Sequence, residues 1–233
     1  MPKSKRNKVI ALTKVEKKTR EDKEVIVDEI HNYLDEHKYC FVFSVEGMRN
    51  TFFKDLRTDW KGSRIFFGRT KIMAKALGKS EEDEYKAGLG ALSEYMSGDV
   101  GLLLTDEEPQ VVKDYFESFV REDYARAGQT STISFTVPAG VVHTTGGKIP
   151  AEDDVPVVHS MEPTLRSLGM PTQLKAGKVE LYAPYEVCKT GQTLDSRQTR
   201  LLKHFGVTSS FFKVHTVAYY DAEKEEVKPF ISA

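Results

Sequence analysis

A glycine followed by evenly spaced basic residues gives this sequence its clearest capacity for chemistry. Gly68 precedes Arg69, and lysines then recur four residues apart at Lys71, Lys75 and Lys79. In an α-helix this spacing places the lysines on one face, while the apolar residues of the same segment fall on another. Amides at the start of such a helix, beside Arg69 and Lys71, are suited to binding phosphate. The alternative is a solvated helix face that binds nothing.

The elements that would position these cations can be read from the neighbouring residues. Ile65, Phe66 and Phe67 are β-branched or aromatic and stop at Gly68, which predicts a buried strand followed by a tight turn. Glycine at this turn would let the backbone approach a partner closely. We therefore interpret the stretch from Arg64 to Gly78 as a strand, a turn and a basic helix that form a platform for nucleic acid.

Charge is strongly segregated along the chain, although the formal net charge is only −1. Residues 1–20 contain eight basic residues against Glu16 alone, a net charge of +7. A second basic island, from Arg49 to Lys79, holds nine basic residues against Asp55 and Asp59, again +7. Such clusters favour a polyanionic partner. The basic candidates for RNA contact are Lys3, Lys5, Arg6, Lys8, Arg49, Lys54, Arg57, Lys61, Arg69, Lys71 and Lys75.

Motifs for catalysis, cofactors or metals are missing from the sequence. The run from Gly68 to Lys71 lacks the full phosphate-loop spacing, and Gly146-Gly147-Lys148 is not followed by a predicted helix. The six histidines are scattered, and no serine lies in a nucleophile elbow. We therefore expect a protein that is not an enzyme and that uses no cofactor or metal ion.

Composition narrows the class of protein further. At 233 residues with 39% hydrophobic residues, the chain can form one large or two small domains. No apolar run reaches the roughly 20 residues that span a bilayer, so we expect no membrane partner. Cys40 and Cys188 have no C-x-x-C spacing and lie among apolar neighbours, which predicts buried free thiols in a reducing compartment.

Strand and helix patterns alternate up to about residue 126, which predicts an α/β fold with a sheet flanked by helices. Glycine and proline then punctuate short β-prone pieces, and a helix and a long strand return after residue 190. We therefore expect a smaller, mainly β lobe inserted into the α/β domain. The expected boundaries are a basic flexible arm at 1–20, a discontinuous domain at 21–126 and 190–222, an inserted lobe at 127–189, and a C-terminal tail at 223–233.

Several short segments together resemble the eukaryotic mRNA turnover protein 4 family, nuclear relatives of the ribosomal protein at the base of the acidic stalk. The resemblance spans nearly the whole chain and is far more specific than one motif. The broader stalk-base family is also similar at Gly68 to Lys75, and its RNA-binding domain carries an inserted lobe. The matching segments are 1–6, 43–45, 48–50, 66–68, 124–128, 159–163 and 185–189.

The resemblance implies a ribosome assembly factor that binds large-subunit rRNA at the stalk-base site and is later replaced by the stalk-base protein. It adds Asn50, Gly68, Thr70 and Met73 to the RNA-binding candidates. The implied partners are this rRNA region, the pre-ribosomal large-subunit particle with its neighbouring ribosomal proteins, and a phosphatase-like release factor. The protein would be a monomer in the particle, in the nucleus and nucleolus, with possible passage to the cytoplasm. Because the sequence ends at Ala233, we expect no surface for acidic stalk dimers.

Two other classes of function compete with this interpretation. The chain could be a protein-interaction module or a cytoplasmic mRNA-decay factor, in which the basic island only keeps the fold soluble. Salt separates these hypotheses, because RNA bound through several phosphates dissociates steeply as salt rises.

Overall fold

The computed structural model describes residues 19–80 and 82–230, and the predicted α/β class is confirmed there. The helices are α1 (Arg20–Glu36), α2 (Asn50–Asp59), α3 (Thr70–Leu77), α4 (Pro109–Ser118), α5 (Glu162–Ser167) and α6 (Ser196–His204). The strands are β1 (Tyr39–Glu46), β2 (Arg64–Phe66), β3 (Val100–Thr105), β4 (Arg121–Asp123), β5 (Phe135–Val137), β6 (Gly140–Val141), β7 (Thr172–Lys175), β8 (Lys178–Leu181), β9 (Tyr185–Cys188), β10 (Ser210–Asp221) and β11 (Glu226–Pro229). Two 3₁₀-helices span Leu89–Tyr95 and His159–Met161. Within the described ranges, no helix combines the length and apolar character needed to cross a membrane.

The described chain divides into two compact units. The first unit contains residues 19–44, 57–113 and 215–230, and the second contains residues 45–56 and 114–214. The basic residues of α3 and of the end of α2 belong to the first unit, so this unit is the one that positions most of the predicted interface.

An antiparallel sheet forms the centre of the first unit, with strands in the order β11, β10, β1, β3 and β2. All six residues of β3 are buried, because this strand lies between β1 and β2. Gly101 has no room for a side chain: an added Cβ would lie 2.5 Å from the Phe43 ring and 2.7 Å from the Phe66 carbonyl oxygen. The end of β2, where the basic turn begins, is thereby fixed against the sheet.

Helices α1 and α3 pack into one apolar core with this sheet. Ile30 and Leu34 of α1 meet Met73 and Leu77 of α3 in a cluster that also includes Leu102 of β3. Burying side chains of this size stabilises the fold by about 1.5–3 kcal/mol each. The same burial turns the opposite, basic face of α3 outward.

The second unit is built from small sheets around a separate core. Strand β5 pairs with β9, and β8 lies between β6 and β7. The first residues of β10 pair with β4. Val137, Leu181 and Val187 from these strands pack with Leu201 and Phe205 in one cluster.

These units differ from the boundaries expected from the sequence. We assigned residues 190–222 to the α/β domain, but Leu201 and Leu202 of α6 pack in the core of the second unit. The reason is burial: the short strands of the insertion cannot cover their own apolar faces, and the apolar stripe of α6 supplies the missing side chains. Residues 45–56 and 114–126 also belong to the second unit.

Two further expectations need correction, and one lies outside the described residues. The expected tail at 223–233 contains β11, whose backbone pairs with β10 from Ala218 to Asp221. The helix expected after the acidic loop is a 3₁₀-helix, Leu89–Tyr95, which follows Gly88 in a left-handed conformation at φ 75°. The basic arm at 1–20, with Lys3, Lys5, Arg6 and Lys8, lies almost entirely in the part of the chain that is not described.

Candidate nucleic-acid interface

The start of α3 is an open, positively charged helix end. Arg69 occupies the N-cap in an extended conformation and makes no side-chain cap hydrogen bond. Its carbonyl oxygen accepts from the amides of Ile72 (2.9 Å) and Met73 (3.3 Å), whereas the amides of Thr70 and Lys71 precede any intrahelical acceptor. No acidic residue lies in this first turn. The N-terminal helix dipole and the neighbouring cations therefore add rather than cancel.

Helix α1 shows how such an end is satisfied when no ligand is required. Thr19 and Asp22 form a reciprocal capping box there, and Glu21 adds a second acidic residue to the first turn. Helix α6 is closed in the same way by Asp195 and Gln198. These caps neutralise the dipole within the protein, and α3 has no equivalent.

The predicted division of α3 into two faces is present. Lys71 and Lys75 are exposed, and neither forms an ion pair with any described residue. Met73, Ala76 and Leu77 are buried in the core of the first unit. The two lysines are one helical turn apart, so both can contact phosphates of one RNA strand.

A groove of about 440 Å³ lies beside this face and is lined only by residues of the first unit. Its walls include Arg57 from α2, Arg64 from β2 and Arg69 from the turn. Gly68 is exposed at the groove, where an added Cβ would meet no atom within 4 Å. The turn therefore presents bare backbone to an open space that is flanked by three guanidinium groups.

The remaining α2 candidates are exposed on one stretch of helix and the turn after it. Lys54 and Arg57 are three residues apart on α2, which places them on one side of the helix. Lys61 follows and lines a second groove of about 330 Å³ together with Arg57 and Arg64. Asn50 is exposed at the first position of α2, and Thr70 is half-buried at the first position of α3.

Two of the candidate residues have structural roles instead. The Arg49 guanidinium forms a short ion pair with Asp123, whose side chain is only 10% exposed. Because a buried carboxylate requires a charged partner, Arg49 is engaged within the protein. Met73 is 2% exposed and packs in the apolar core, so almost none of its surface is available to a ligand.

Sequence reasoning placed Arg64 in the basic island but missed it as a site residue. Its guanidinium lies 5.3 Å from the centre of the Tyr33 ring and 5.4 Å from that of Phe66, and 3.8 Å from the Glu29 carboxylate. Tyr33 and Glu29 come from α1, and only the tertiary fold brings them to β2. A basic residue at the exposed first position of a buried strand was the one available signal.

The described residues offer little for nucleophilic or metal chemistry. In the ranges 19–80 and 82–230, no cluster of three or more His, Cys, Asp or Glu side chains could hold a metal ion. Both cysteines are buried and free, as predicted. Burial raises the pKa of the Cys40 thiol to about 12, so this thiol stays protonated and is a poor nucleophile near neutral pH.

Comparison with known families divides the chain in two. Residues 18–121 match the family described as Ribosomal protein L10, and residues 125–207 match a second family, described as the insertion domain in 60S ribosomal proteins of the L10 type. The second match includes α6, which agrees with the packing of that helix in the second unit.

Individual relatives cover nearly the whole chain. Ribosome assembly factor mrt4 of Neurospora crassa is 49% identical, across 97% of this chain and 92% of its own length. Ribosome assembly factor MRT4 of Saccharomyces cerevisiae is 46% identical, across 98% of this chain and 97% of its own length. Large ribosomal subunit protein uL10 of Zea mays is 22% identical, across 91% of this chain and 61% of its own length.

Proposed function

The chain belongs to the ribosome assembly factor Mrt4 family, related to ribosomal protein L10, and from this premise we propose that it assists assembly of the large ribosomal subunit by binding its rRNA. Its site would be the stalk-base region of that rRNA in pre-ribosomal particles. The ribosomal stalk-base protein would later take the same place. The protein would act by binding rather than by catalysing a reaction.

The exposed basic face of α3 is the observation that carries this proposal. Lys71 and Lys75 have no partner among the described residues, and Arg69 extends the same charge into the turn. Cations of this kind attract phosphate over a distance and fix the register of an RNA on the surface. The bare backbone at Gly68 lets a phosphate or a sugar approach the helix start closely.

Exchange with the stalk-base protein follows from the use of one surface. A relative of that protein, in the same broad family, would contact the same rRNA through the corresponding turn and helix. Two proteins that need one RNA surface exclude each other. Since a tenfold difference in affinity corresponds to only about 1.4 kcal/mol, we expect closely matched affinities and an assisted release step.

The proposal extends to location and partners. The protein would reside in the nucleus and nucleolus, enter the pre-ribosomal large-subunit particle as a monomer, and in some particles travel with it to the cytoplasm. Neighbouring ribosomal proteins would contact it there, and a phosphatase-like factor would release it.

Competition on purified RNA tests the shared site. The full-length chain is bound to an rRNA fragment that contains the stalk-base site, and the stalk-base protein is titrated into the complex. We expect each bound copy of the second protein to displace one copy of the first, as resolved by native gel or mass photometry. A stable complex with one copy of each protein on the RNA would overturn the replacement model.

A further inference from the structure

The groove beside α3 has a lining that phosphate binding does not explain. Phosphate is recognised by charge and hydrogen-bond donors alone. Six lining residues are nevertheless apolar: Ile26, Ile65, Phe66, Phe67, Ile72 and Met73. A recess that is partly apolar and rimmed by a few charged groups is typical of sites for flat molecules with a polar edge.

The charged lining is held in place by contacts inside the first unit. Arg64 lies against the rings of Tyr33 and Phe66 and is 3.8 Å from the carboxylate of Glu29. About half of each charged side chain remains exposed, at 47% for Arg64 and 46% for Glu29. The groove therefore offers oriented donors and one carboxylate acceptor together, in addition to Arg57 and Arg69.

We propose that this groove binds a single unpaired guanine base of the RNA. Proteins that read single-stranded RNA take unstacked bases onto aromatic side chains and arginine planes. The apolar lining would cover the face of the base. Arginine donors pair with the O6 and N7 atoms of guanine, and a carboxylate such as Glu29 accepts from its N1 and N2 hydrogens. Adenine has no such combination of acceptors and donors.

Charge and continuity favour a base from the RNA over other occupants. Three arginines against one carboxylate give the lining a net positive charge, which suits a polyanion. Arg69 belongs both to the groove and to the N-terminus of α3, so a strand on the lysines leads directly to the groove. This inference rests on the proposed rRNA-binding function and adds the chemical identity of one bound nucleotide.

The glycines supply a matched pair of variants. Gly68 lines the groove, whereas Gly62 lies in the turn after α2 and does not. Neither has a positive φ, and an added Cβ at either position would meet no atom within 4 Å. Gly68→Leu should therefore fill the groove without disturbing the fold, and Gly62→Leu makes the same change outside it.

The experiment measures binding of the full-length chain and both variants to the stalk-base rRNA fragment, with each unpaired guanine replaced in turn by an abasic nucleotide. One replacement should weaken wild-type binding by about 5- to 150-fold, the contribution of one stacked base. Gly68→Leu should lose a similar factor on intact RNA and should be insensitive to that replacement. Gly62→Leu should match the wild-type chain on every RNA. Guanine-to-adenine exchange at the sensitive position should weaken wild-type binding by a similar range.

Two results would overturn the base site. Gly68→Leu could bind intact RNA as tightly as the wild-type chain, or every abasic replacement could affect both proteins equally. Reversal of Lys71 and Lys75 separates such a failure from a failure of the proposed function. If only the lysine reversal weakens binding, the base site is wrong and the RNA interface stands; if neither variant weakens it, the interface is also wrong.

Discussion

The basic face of α3 and the junction between β1 and α2 look alike in the sequence, but their charges have different roles. At the junction, Arg49 pairs with buried Asp123, and the Arg126 guanidinium donates to the carbonyl oxygen of Met48. On α3, Lys71 and Lys75 are exposed and have no ion pair within the described residues. One set of cations holds the second unit together, and the other is available to a ligand.

This difference shows that formal charge and available charge are separate quantities. A cation that is already paired with a buried carboxylate would have to leave that carboxylate unpaired in order to bind phosphate, which costs several kcal/mol. A solvated lysine gives up only water and counterions. Variants at the two regions should therefore change different measured properties.

The largest effect should come from the double variant Lys71→Glu, Lys75→Glu. We expect RNA affinity to fall by about 3 kcal/mol, or roughly 100-fold, because two attractions to phosphate become repulsions. Unfolding free energy should change by less than about 0.5 kcal/mol, since both side chains are solvated. RNA titration and thermal unfolding measure the two quantities.

A charge-matched control uses Lys178→Glu with Arg200→Glu, two exposed cations of the second unit. If this control weakened RNA binding as much as the α3 variant does, net charge rather than the α3 face would govern binding. The salt dependence gives a second check, because each lost phosphate contact should lower the log–log slope by about one.

Arg49→Met should show the opposite pattern, with an effect on stability. Removing the guanidinium leaves the buried Asp123 carboxylate unpaired and should lower the free energy of unfolding by about 2 kcal/mol, less than for a fully buried pair because Arg49 is partly exposed. In a chain of this size that corresponds to a Tm lower by about 4–8 °C. RNA affinity of the folded protein should stay within about twofold of wild type.

The double variant Arg49→Met, Asp123→Asn tests the cause of that loss. Without the buried charge, part of the stability should return. Unchanged Tm in Arg49→Met, combined with weaker RNA binding, would place Arg49 in the interface and remove the distinction between the two regions.

Asp154 gives the smallest expected effect and shows a buried acid that is stabilised without a cation. Burial would raise its pKa, but the Thr144 and Thr145 hydroxyls and the Thr145 and Val155 amides donate to the carboxylate and outweigh burial, so the pKa lies below its usual range. A depressed pKa stabilises the fold above the unfolded value of about 3.9, and this contribution disappears as the pH falls below it.

Thermal unfolding of the wild-type chain and of Asp154→Asn should therefore converge with acidity. The wild-type chain should be more stable at pH 7, and its advantage should shrink as the pH is lowered from about 4. A difference in Tm that is equal at pH 7 and pH 3 would mean that the ionised carboxylate makes no contribution.

Local patterns predicted the elements around the interface well. The apolar run at Ile65 to Phe67 and the helical spacing after Gly68 correspond to β2 and α3, and the long strand after residue 210 is β10. The helix at Leu89–Tyr95 was mistaken for an α-helix, because helical spacing of apolar residues does not distinguish a short 3₁₀ turn. The identity of the RNA-contacting residues stays a prediction.

Sequence alone determined the class of fold, the two faces of α3 and the family, because periodicity, charge and motif order are properties of the chain itself. Tertiary structure alone decided which cations are available. Asp123 reaches Arg49 from 74 positions away along the chain, and Tyr33 and Glu29 reach Arg64 from another helix. It also assigned α6 to the second unit, because an apolar stripe shows that a helix is buried but not against which partner. Pairing and burial depend on neighbours that only folding brings together.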